Sequence, residues 1–216
     1  WASLTDFGFK RLQQFSRAVM GSNNVDRLMT RSQASVEQAL VDSFGIAASP
    51  AGMQEMRTDS NMVLVVGPDI GVTEPIASYW LFWALRYREV KMVVVRPEHS
   101  YMCDRSDHWI PAPAGSEADV LNAMAKIIIA EGLAAPGADM ETLRGAVDGI
   151  DIDKVAATAG VSTEFLRTCA VLYATGGVGK QDGRTEYPSS TIWHTAASRD
   201  SDDVGSIAIA AHNLAV

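Results

Sequence analysis

The pattern of apolar residues predicts an alternation of helices and short buried strands. Apolar side chains recur at helical spacing in residues 6–19 and 35–44, and a glycine closely follows each of these segments. Residues 62–66 and 92–95 are instead short continuous runs of β-branched and other apolar side chains, a pattern typical of strands buried on both faces. Because strands of this kind occur in parallel sheets, we expect a parallel sheet.

The segment between the two runs predicts a βαβ unit. Residues 76–87 form a long apolar stretch after a glycine-containing turn, so that a strand, a helix and a parallel strand follow one another. Residues 191–194 predict one more strand, and the glycine-rich, polar residues 175–190 predict a loop. Further helices are predicted at residues 119–131, 140–147, 151–159, 162–173 and 204–214.

These elements indicate an α/β fold with a Rossmann-like parallel sheet flanked by helices and a small helical segment. We divide the chain into an α/β portion in residues 1–131, a helical segment in residues 132–174, and a loop with a return to the α/β portion in residues 175–216. Trp1 stands where an initiator methionine is expected, and Val216 lies within a helical pattern. We therefore expect an internal piece of a longer protein.

Composition and charge exclude several classes of function. The 216 residues are 47% hydrophobic, which predicts a folded globular protein, and the net charge is −8 with scattered basic residues. Nucleic acids and anionic membranes are therefore not expected partners. The apolar runs are far shorter than the ~20 residues that span a bilayer. Cys103 and Cys169 lie far apart, so this chain alone predicts reduced thiols and neither a zinc nor an iron–sulfur site.

Three turns contain candidate ligand-binding residues. Residues 67–75 place a glycine turn between the first buried strand and its helix, where N–H groups can bind a phosphate, although any βα turn has this form. Residues 96–98, Arg-Pro-Glu, can contact a ligand or pair with each other at the surface. Residues 115–117, Gly-Ser-Glu, can bind an anion or simply cap the next helix. All three turns would line one edge of the sheet, which favours a shared site.

The remaining candidate motifs do not indicate a catalytic site. Residues 176–180 resemble the end of a phosphate-binding P-loop, but Ala174 replaces its first glycine and Gln181 its magnesium-binding hydroxyl residue. The four histidines lack metal-ligand spacing and are interpreted as solvated or core residues. No GxSxG motif supports a hydrolase. An unrelated nucleotide-binding enzyme remains an alternative, and it would need the loops at Gly67 and Gly176 to bind phosphate.

The order of several short motifs resembles the large subunits of molybdopterin oxidoreductases, of the formate dehydrogenase and NADH-quinone oxidoreductase type. Arg17-Ala-Val-Met-Gly-Ser-Asn-Asn-Val-Asp26 is similar to the family's R-A-x-x-G-[ST]-N-N-x-D stretch. The strand that ends at Gly67, followed by Thr73-Glu-Pro75, is similar to its G-x-N-x-x-x-x-H-P turn. Arg96-Pro-Glu98 stands at the position of its D-P-R motif.

The resemblance continues through the second half of the chain. Asp107 stands at the family's A-D-x-x-[LI] position, and residues 114–124 resemble P-G-[TS]-[DN]-x-x-L-x-x-A-M. Residues 160–174 resemble the G-V-[ST] motif and the helix that ends in A-x-x-Y-A. The matches extend in order from about residue 10 to residue 175, which makes them more specific together than any one motif.

The resemblance implies a molybdopterin guanine dinucleotide cofactor with molybdenum or tungsten, bound in the portion formed by residues 1–131. Any 4Fe-4S clusters would be held by regions upstream of Trp1. The expected partners are other domains of the same large subunit, with Trp80, Trp83 and Trp109 at these contacts, and iron–sulfur or flavin electron-transfer subunits. We expect a cytoplasmic protein without direct membrane insertion, any membrane association passing through partner subunits. Carried over residue by residue, the cofactor contacts would be Gly67, Asp69, Thr73, Glu74, Arg96, Glu98, Gly115, Ser116 and Glu117.

Two departures from the family pattern qualify these implications. Ser32 and Gln33 stand where active formate dehydrogenases place a cysteine or selenocysteine followed by histidine; serine is a candidate metal ligand, but glutamine cannot take up a proton as histidine does. Arg96 replaces a carboxylate that would accept from guanine N–H groups, unless Glu98 exchanges roles with it. The alternative function is therefore a non-catalytic scaffold that has lost the cofactor, as in the complex I subunit of this fold.

Overall fold

The computed structural model describes residues 6–25, 31–49, 51–67, 69–134, 140–176, 190–194 and 204–215. The chain divides into two compact units, residues 1–30 and residues 31–216. The second unit contains the sheet and the three predicted ligand-binding turns. The predicted boundaries at residues 131 and 174 stay a prediction, and apolar side chains on both sides of each share one hydrophobic core.

The described part of the first unit consists of helix α1 (Asp6–Ala18) and the turn that follows it. Arg17 Nε donates to Asn23 Oδ1 at 2.8 Å, and the Ser16 hydroxyl donates to the carbonyl of Ser22 at 3.0 Å. These bonds fold the turn back onto the end of the helix. The asparagine-rich motif of this unit is thus held by contacts among its own residues.

The second unit contains ten helices within its described residues, and side chains cap three of them. Asp69, Asp151 and Ser162 each accept a hydrogen bond from a backbone N–H in the first turn, which satisfies a donor that has no partner within the helix. The helices are α2 (Arg31–Phe44), α3 (Met53–Thr58), α4 (Ile70–Thr73), α5 (Pro75–Tyr87), α6 (Tyr101–Arg105), α7 (Glu117–Ala130), α8 (Met140–Val147), α9 (Ile152–Thr158), α10 (Thr163–Ala174) and α11 (Val204–Ala215).

Four parallel strands form the sheet seen in the described residues, in the order β3-β2-β1-β4. On the central strand, Leu64 lies beside Val93 on one side and Ile192 on the other. The α/β fold and the parallel sheet predicted from the sequence are confirmed. The strands are β1 (Met62–Val66), β2 (Lys91–Val95), β3 (His108–Ile110) and β4 (Ser190–His194).

The sheet separates two hydrophobic clusters. Leu64 and Val93 face a cluster formed largely by α7, α10 and α11, in which Leu121 is fully buried. Val63 and Val65 face the other cluster, together with α5. Because both faces are covered, every residue of β1 is buried, and each fully buried Val or Leu side chain contributes roughly 1.5–3 kcal/mol.

The three tryptophans that we expected at contacts with other domains pack inside this unit. Trp80, Trp83 and Trp109 are partly buried against the second hydrophobic cluster. The guanidinium of Arg57 lies 4.5 Å from the ring centre of Trp80 and 5.2 Å from that of Trp83, within the range of cation–π interaction. These rings therefore stabilise their own unit, and their contact with other domains stays a prediction.

The sequence pattern missed the shortest elements. Helices α3, α4 and α6 and strand β3 have three to six residues each, too few for a period to show. Helix α2 begins at Arg31 rather than at residue 35. Most of the predicted loop, residues 177–189, lies outside the described residues.

The described residues also bear on the cysteines, on metal binding and on membrane spans. Cys103 and Cys169 are buried free thiols. The described residues contain no group of three or more histidine, cysteine, aspartate or glutamate side chains that could hold a metal ion. None of the helices seen there combines the length and apolar character needed to cross a bilayer.

Candidate functional site

The carboxyl ends of the parallel strands form the edge where the candidate site lies. The Gly67 N–H donates to the carbonyl of Val95 at 3.0 Å, and the Arg96 N–H donates to the carbonyl of Ile110 at 3.1 Å. These bonds extend the pairing of β1, β2 and β3 past the last strand residues. The chain order reverses between β1 and β4, and ligands of open α/β sheets bind outside the carboxyl ends at such a position.

The first predicted turn is stabilised by its own side chains. Gly67 has a φ of 97°, which favours glycine, and Asp69 caps α4 by accepting from the Gly71 N–H at 2.8 Å. The Thr73 hydroxyl donates to the carbonyl of Asp69 at 3.2 Å. Glu74 precedes α5 and makes no side-chain cap for it. In this turn, Thr73 and one oxygen of Asp69 therefore have internal partners.

Arg96 is a buried basic residue of the site. It is only 9% exposed, and its Nη1 lies 3.3 Å from Asp69 Oδ2. This contact brings the charges together but does not have hydrogen-bond geometry, so among the described residues Arg96 Nε and Nη1 have no hydrogen-bond acceptor. Buried N–H groups without acceptors are rare because each costs about 1–3 kcal/mol, more when charged.

The backbone of Arg96 is fixed on both sides. Its N–H donates to Ile110, as described above, and its carbonyl accepts from Trp109 Nε1 at 3.1 Å. Glu98, two residues later, is exposed, and its predicted exchange of roles with Arg96 stays a prediction. The carboxylate beside the buried guanidinium is that of Asp69.

The third predicted turn also satisfies most of its own polar groups. Glu117 is fully buried, and its Oε2 accepts from the Gly115 N–H at 2.7 Å. The Ser116 hydroxyl donates to the carbonyl of Pro113 at 2.7 Å and makes no cap bond with α7. The Glu117 carboxylate therefore stabilises this turn, Ser116 does not cap α7 as the sequence predicts, and a ligand role for these residues stays a prediction.

The predicted metal-site residues begin α2. Ser32 and Gln33 lie in its first turn; the Gln33 side chain is exposed, and the Ser32 side chain lies outside the described part of the structure. Their predicted roles stay untested. Of the P-loop-like segment, residues 177–180 are likewise outside the described residues.

A histidine pair that the sequence did not suggest lies at the carboxyl end of β4. His194 Nε2 is 3.3 Å from His212 Nε2, and His212 Nδ1 is 2.9 Å from the Ser43 hydroxyl. Burial, and then the neighbouring His212, lowers the pKa of His194 to about 4. Burial also lowers the pKa of His212, partly offset by a hydrogen bond to the backbone of Ala39. Both imidazoles are therefore neutral at pH 7.

No local signal could have revealed this pair. The residues belong to different elements, β4 and α11, and only the packing of that helix against the sheet brings them together. His212 is 5% exposed and is therefore a core residue, as the sequence interpretation allows, whereas His194 is partly buried.

Comparison with known proteins decides the family. The family model described as Molybdopterin oxidoreductase matches residues 9–210. The chain belongs to the molybdopterin oxidoreductase family. This membership implies a molybdopterin cofactor with molybdenum or tungsten and agrees with an oxidoreductase-type enzyme.

The relatives that this chain matches are longer than the chain. It is 30% identical to formate dehydrogenase H of Escherichia coli over 169 residues, which are 76% of this chain and 23% of that protein. It is 29% identical to the probable oxidoreductase YjgC of Bacillus subtilis over 140 residues, 65% of this chain and 14% of the relative. The chain spans 14% to 25% of the length of the curated relatives that it matches.

A solved structure has the same fold. Acetylene hydratase from Pelobacter acetylenicus superimposes with a TM-score of 0.65 at 22% sequence identity, covering 97% of this chain and 28% of that one. At this identity the likeness establishes the fold and not the activity. Arg96 Nε and Nη1, at the carboxyl edge of the sheet, have no acceptor among the described residues. They fit a bound group that offers hydrogen-bond acceptors, as a dinucleotide cofactor does.

Proposed function

We propose that this chain is part of the large subunit of a molybdopterin-dependent oxidoreductase of the formate dehydrogenase or NADH-quinone oxidoreductase type. In this proposal its second unit holds the nucleotide end of a molybdopterin guanine dinucleotide at the carboxyl edge of the sheet. The supporting observation is Arg96, whose buried Nε and Nη1 have no acceptor among the described residues. A bound cofactor would supply the acceptor that this protein needs at that position.

The residues of this chain would bind and orient the cofactor, whose metal would supply the two-electron redox chemistry when bound. Arg96 would donate to the nucleotide, and the glycine turn at Gly67 would let the backbone approach it closely. Ser32 is the nearest candidate metal ligand of this chain. Gln33 has an amide, which is not basic at neutral pH, so any proton acceptor must be another group.

The test is the cofactor content of the full-length protein. We expect molybdenum or tungsten near one atom per subunit by elemental analysis, with a matching amount of pterin measured by fluorescence after oxidation. A preparation that is folded by circular dichroism but contains neither metal nor pterin, even when expressed with excess molybdate and tungstate, would contradict the proposal.

A second candidate function is a scaffold of the same fold that has lost the cofactor and acts through protein contacts. Ser32 and Gln33 favour it, because neither provides the thiolate or selenolate and the imidazole expected of a working formate dehydrogenase. The same measurement separates the two functions, since only the scaffold would lack metal and pterin when it is expressed with excess molybdate and tungstate. For either function we propose iron–sulfur or flavin subunits as partners, 4Fe-4S clusters in other regions of the protein, and a cytoplasmic location.

A further inference from the structure

We infer that His194 and His212 form a metal site, in which the two imidazole Nε2 atoms bind one divalent transition-metal ion of the Zn²⁺ class. The site joins the last residue of β4 to α11 and is separate from the turns after β1 and β2. It goes beyond the proposed function, which gives neither histidine a role in holding the cofactor.

The separation of the two nitrogens matches that of two ligands on one ion. His194 Nε2 lies 3.3 Å from His212 Nε2. Two imidazole nitrogens bound to a tetrahedral zinc ion are about 3.3 Å apart, whereas a hydrogen-bonded N–H nitrogen usually lies about 2.9–3.0 Å from its acceptor. The ring centres are 5.2 Å apart. Because this exceeds the separation of the nitrogens by less than two ring radii, the rings meet at an angle, as two ligands of one ion do.

The surroundings of His212 orient its ring for this role. The side chain is buried, with the Phe44 ring centre 5.0 Å away, and its Nδ1 lies 2.9 Å from the Ser43 hydroxyl. When Nδ1 keeps the proton and donates it to Ser43, the lone pair of Nε2 faces His194. Metal-binding histidines almost always have such a partner on the other ring nitrogen.

Both rings are also in the protonation state that a metal needs. Burial lowers the pKa of His194 to about 4 and lowers the pKa of His212 as well, so both are neutral at pH 7. A metal ion therefore does not have to displace a charge-carrying proton from either ring. Neutral imidazole is a preferred ligand of zinc, copper and nickel.

The two histidines leave part of the coordination sphere open. No third histidine, cysteine or carboxylate joins them within the part of the chain that the structure describes. His194 is only partly buried, so water can reach the ion and complete its coordination. An open site of this kind binds an exchangeable ion, and because the ligands belong to two elements, the bound ion would hold α11 against the sheet.

The experiment titrates the full-length protein with Zn²⁺ and measures binding by isothermal titration calorimetry. Zinc bound by other regions is common to all variants, so the variants are compared with the wild type. We expect His194→Gln and His212→Gln each to lose one bound zinc ion, or at least about tenfold in its affinity, because a single imidazole remains. Ser43→Ala should weaken the same binding by about 10- to 100-fold, the usual cost of removing the partner of a metal-binding histidine.

His99→Gln is the matched control. It removes an exposed histidine whose Nε2 lies 3.1 Å from Asp104 Oδ1, a surface pair that offers zinc two ligands without a built site. We expect this variant to bind zinc as the wild type does. A second measurement needs no variant: with one equivalent of Cu²⁺, the electron paramagnetic resonance spectrum of the wild type should show coupling to two imidazole nitrogens.

Either measurement can overturn the inference. It is wrong if the wild type and a folded His194→Gln bind equally many zinc ions with equal affinity, or if His99→Gln abolishes the binding. It is also wrong if bound copper is coupled to one imidazole or none, and this spectrum decides if the histidine variants do not fold. A protein that contains molybdenum and pterin but shows none of this zinc binding would refute the inference and leave the proposed function intact.

Discussion

The pair formed by the partly buried His194 and the buried His212 gives this protein a defined response to acid. His194 and His212 approach through their Nε2 atoms at 3.3 Å, and this contact joins the end of β4 to α11. A neutral pair can share one hydrogen bond, whereas protonating both rings would place two N–H donors and two positive charges face to face. We predict that the α11 segment detaches from the sheet as the pH falls.

The magnitude follows from the pKa of His194. Burial lowers it to about 4 in the folded protein, against about 6.5 for an unfolded chain. At about 1.4 kcal/mol for each unit, the difference corresponds to roughly 3 kcal/mol. Because the folded pKa is the lower one, this stability is fully present above about pH 6.5 and is lost as the pH falls toward 4, with no further loss from this group below that.

The assay is hydrogen–deuterium exchange of peptides covering residues 190–194 and 204–215, corrected for the intrinsic effect of pH. In the wild type we expect protection to fall on the order of a hundredfold between pH 7 and pH 4. His194→Gln keeps a side-chain donor but cannot become charged, so its protection should change much less. His99→Gln, which replaces an exposed histidine paired with Asp104, serves as the control and should follow the wild type. Equal losses in the wild type and in His194→Gln would refute the argument.

Three further predictions concern stability and reactivity. Leu64→Ala should destabilise the protein by about 2–5 kcal/mol in urea unfolding, because Leu64 is fully buried in the central strand, whereas Val72→Ala, at a residue 79% exposed, should change little; similar effects would contradict the assigned core. Ser162→Ala should cost about 1 kcal/mol through the lost cap of α10, and Ser162→Asp should restore it; an unchanged midpoint for the alanine variant would argue against the cap. Cys169, whose pKa burial raises to about 12, should react with a thiol reagent at pH 8 only after unfolding, and fast labelling of the native protein would show that it is accessible.

Much of the fold could be predicted because its longest elements have clear periods. The run at residues 62–66 predicts a strand covered on both faces, and β1 is buried throughout. Ser162 predicts the start of α10 because its hydroxyl is a preferred cap. Strand β3 has only three residues, of which His108 and Trp109 are only partly buried, so neither an apolar run nor an alternation is visible.

The sequence predicts where the candidate site lies in the sheet, but not which side chains contact each other there. Parallel strands put the turns after β1 and β2 at one edge, which the sequence pattern does indicate. The partner of Arg96 was not predictable, because both Glu98 and Asp69 offer a carboxylate and only the fold shows that Glu98 faces solvent. The histidine pair depends on the packing of α11, which no local pattern encodes.

The strand order has a consequence for the biosynthesis of this protein. Strands β1, β2 and β3 are complete once residue 110 has been made, but β4, the other neighbour of β1, is complete only at residue 194. At about 5–20 residues per second, the ribosome needs roughly 4–17 s to synthesise the chain from residue 110 to residue 194. During that interval the most apolar strand of the protein has one side of unpaired N–H and carbonyl groups, the kind of edge on which chains aggregate. We therefore expect early packing of the intervening helices, or a chaperone, to protect β1 until β4 has been made.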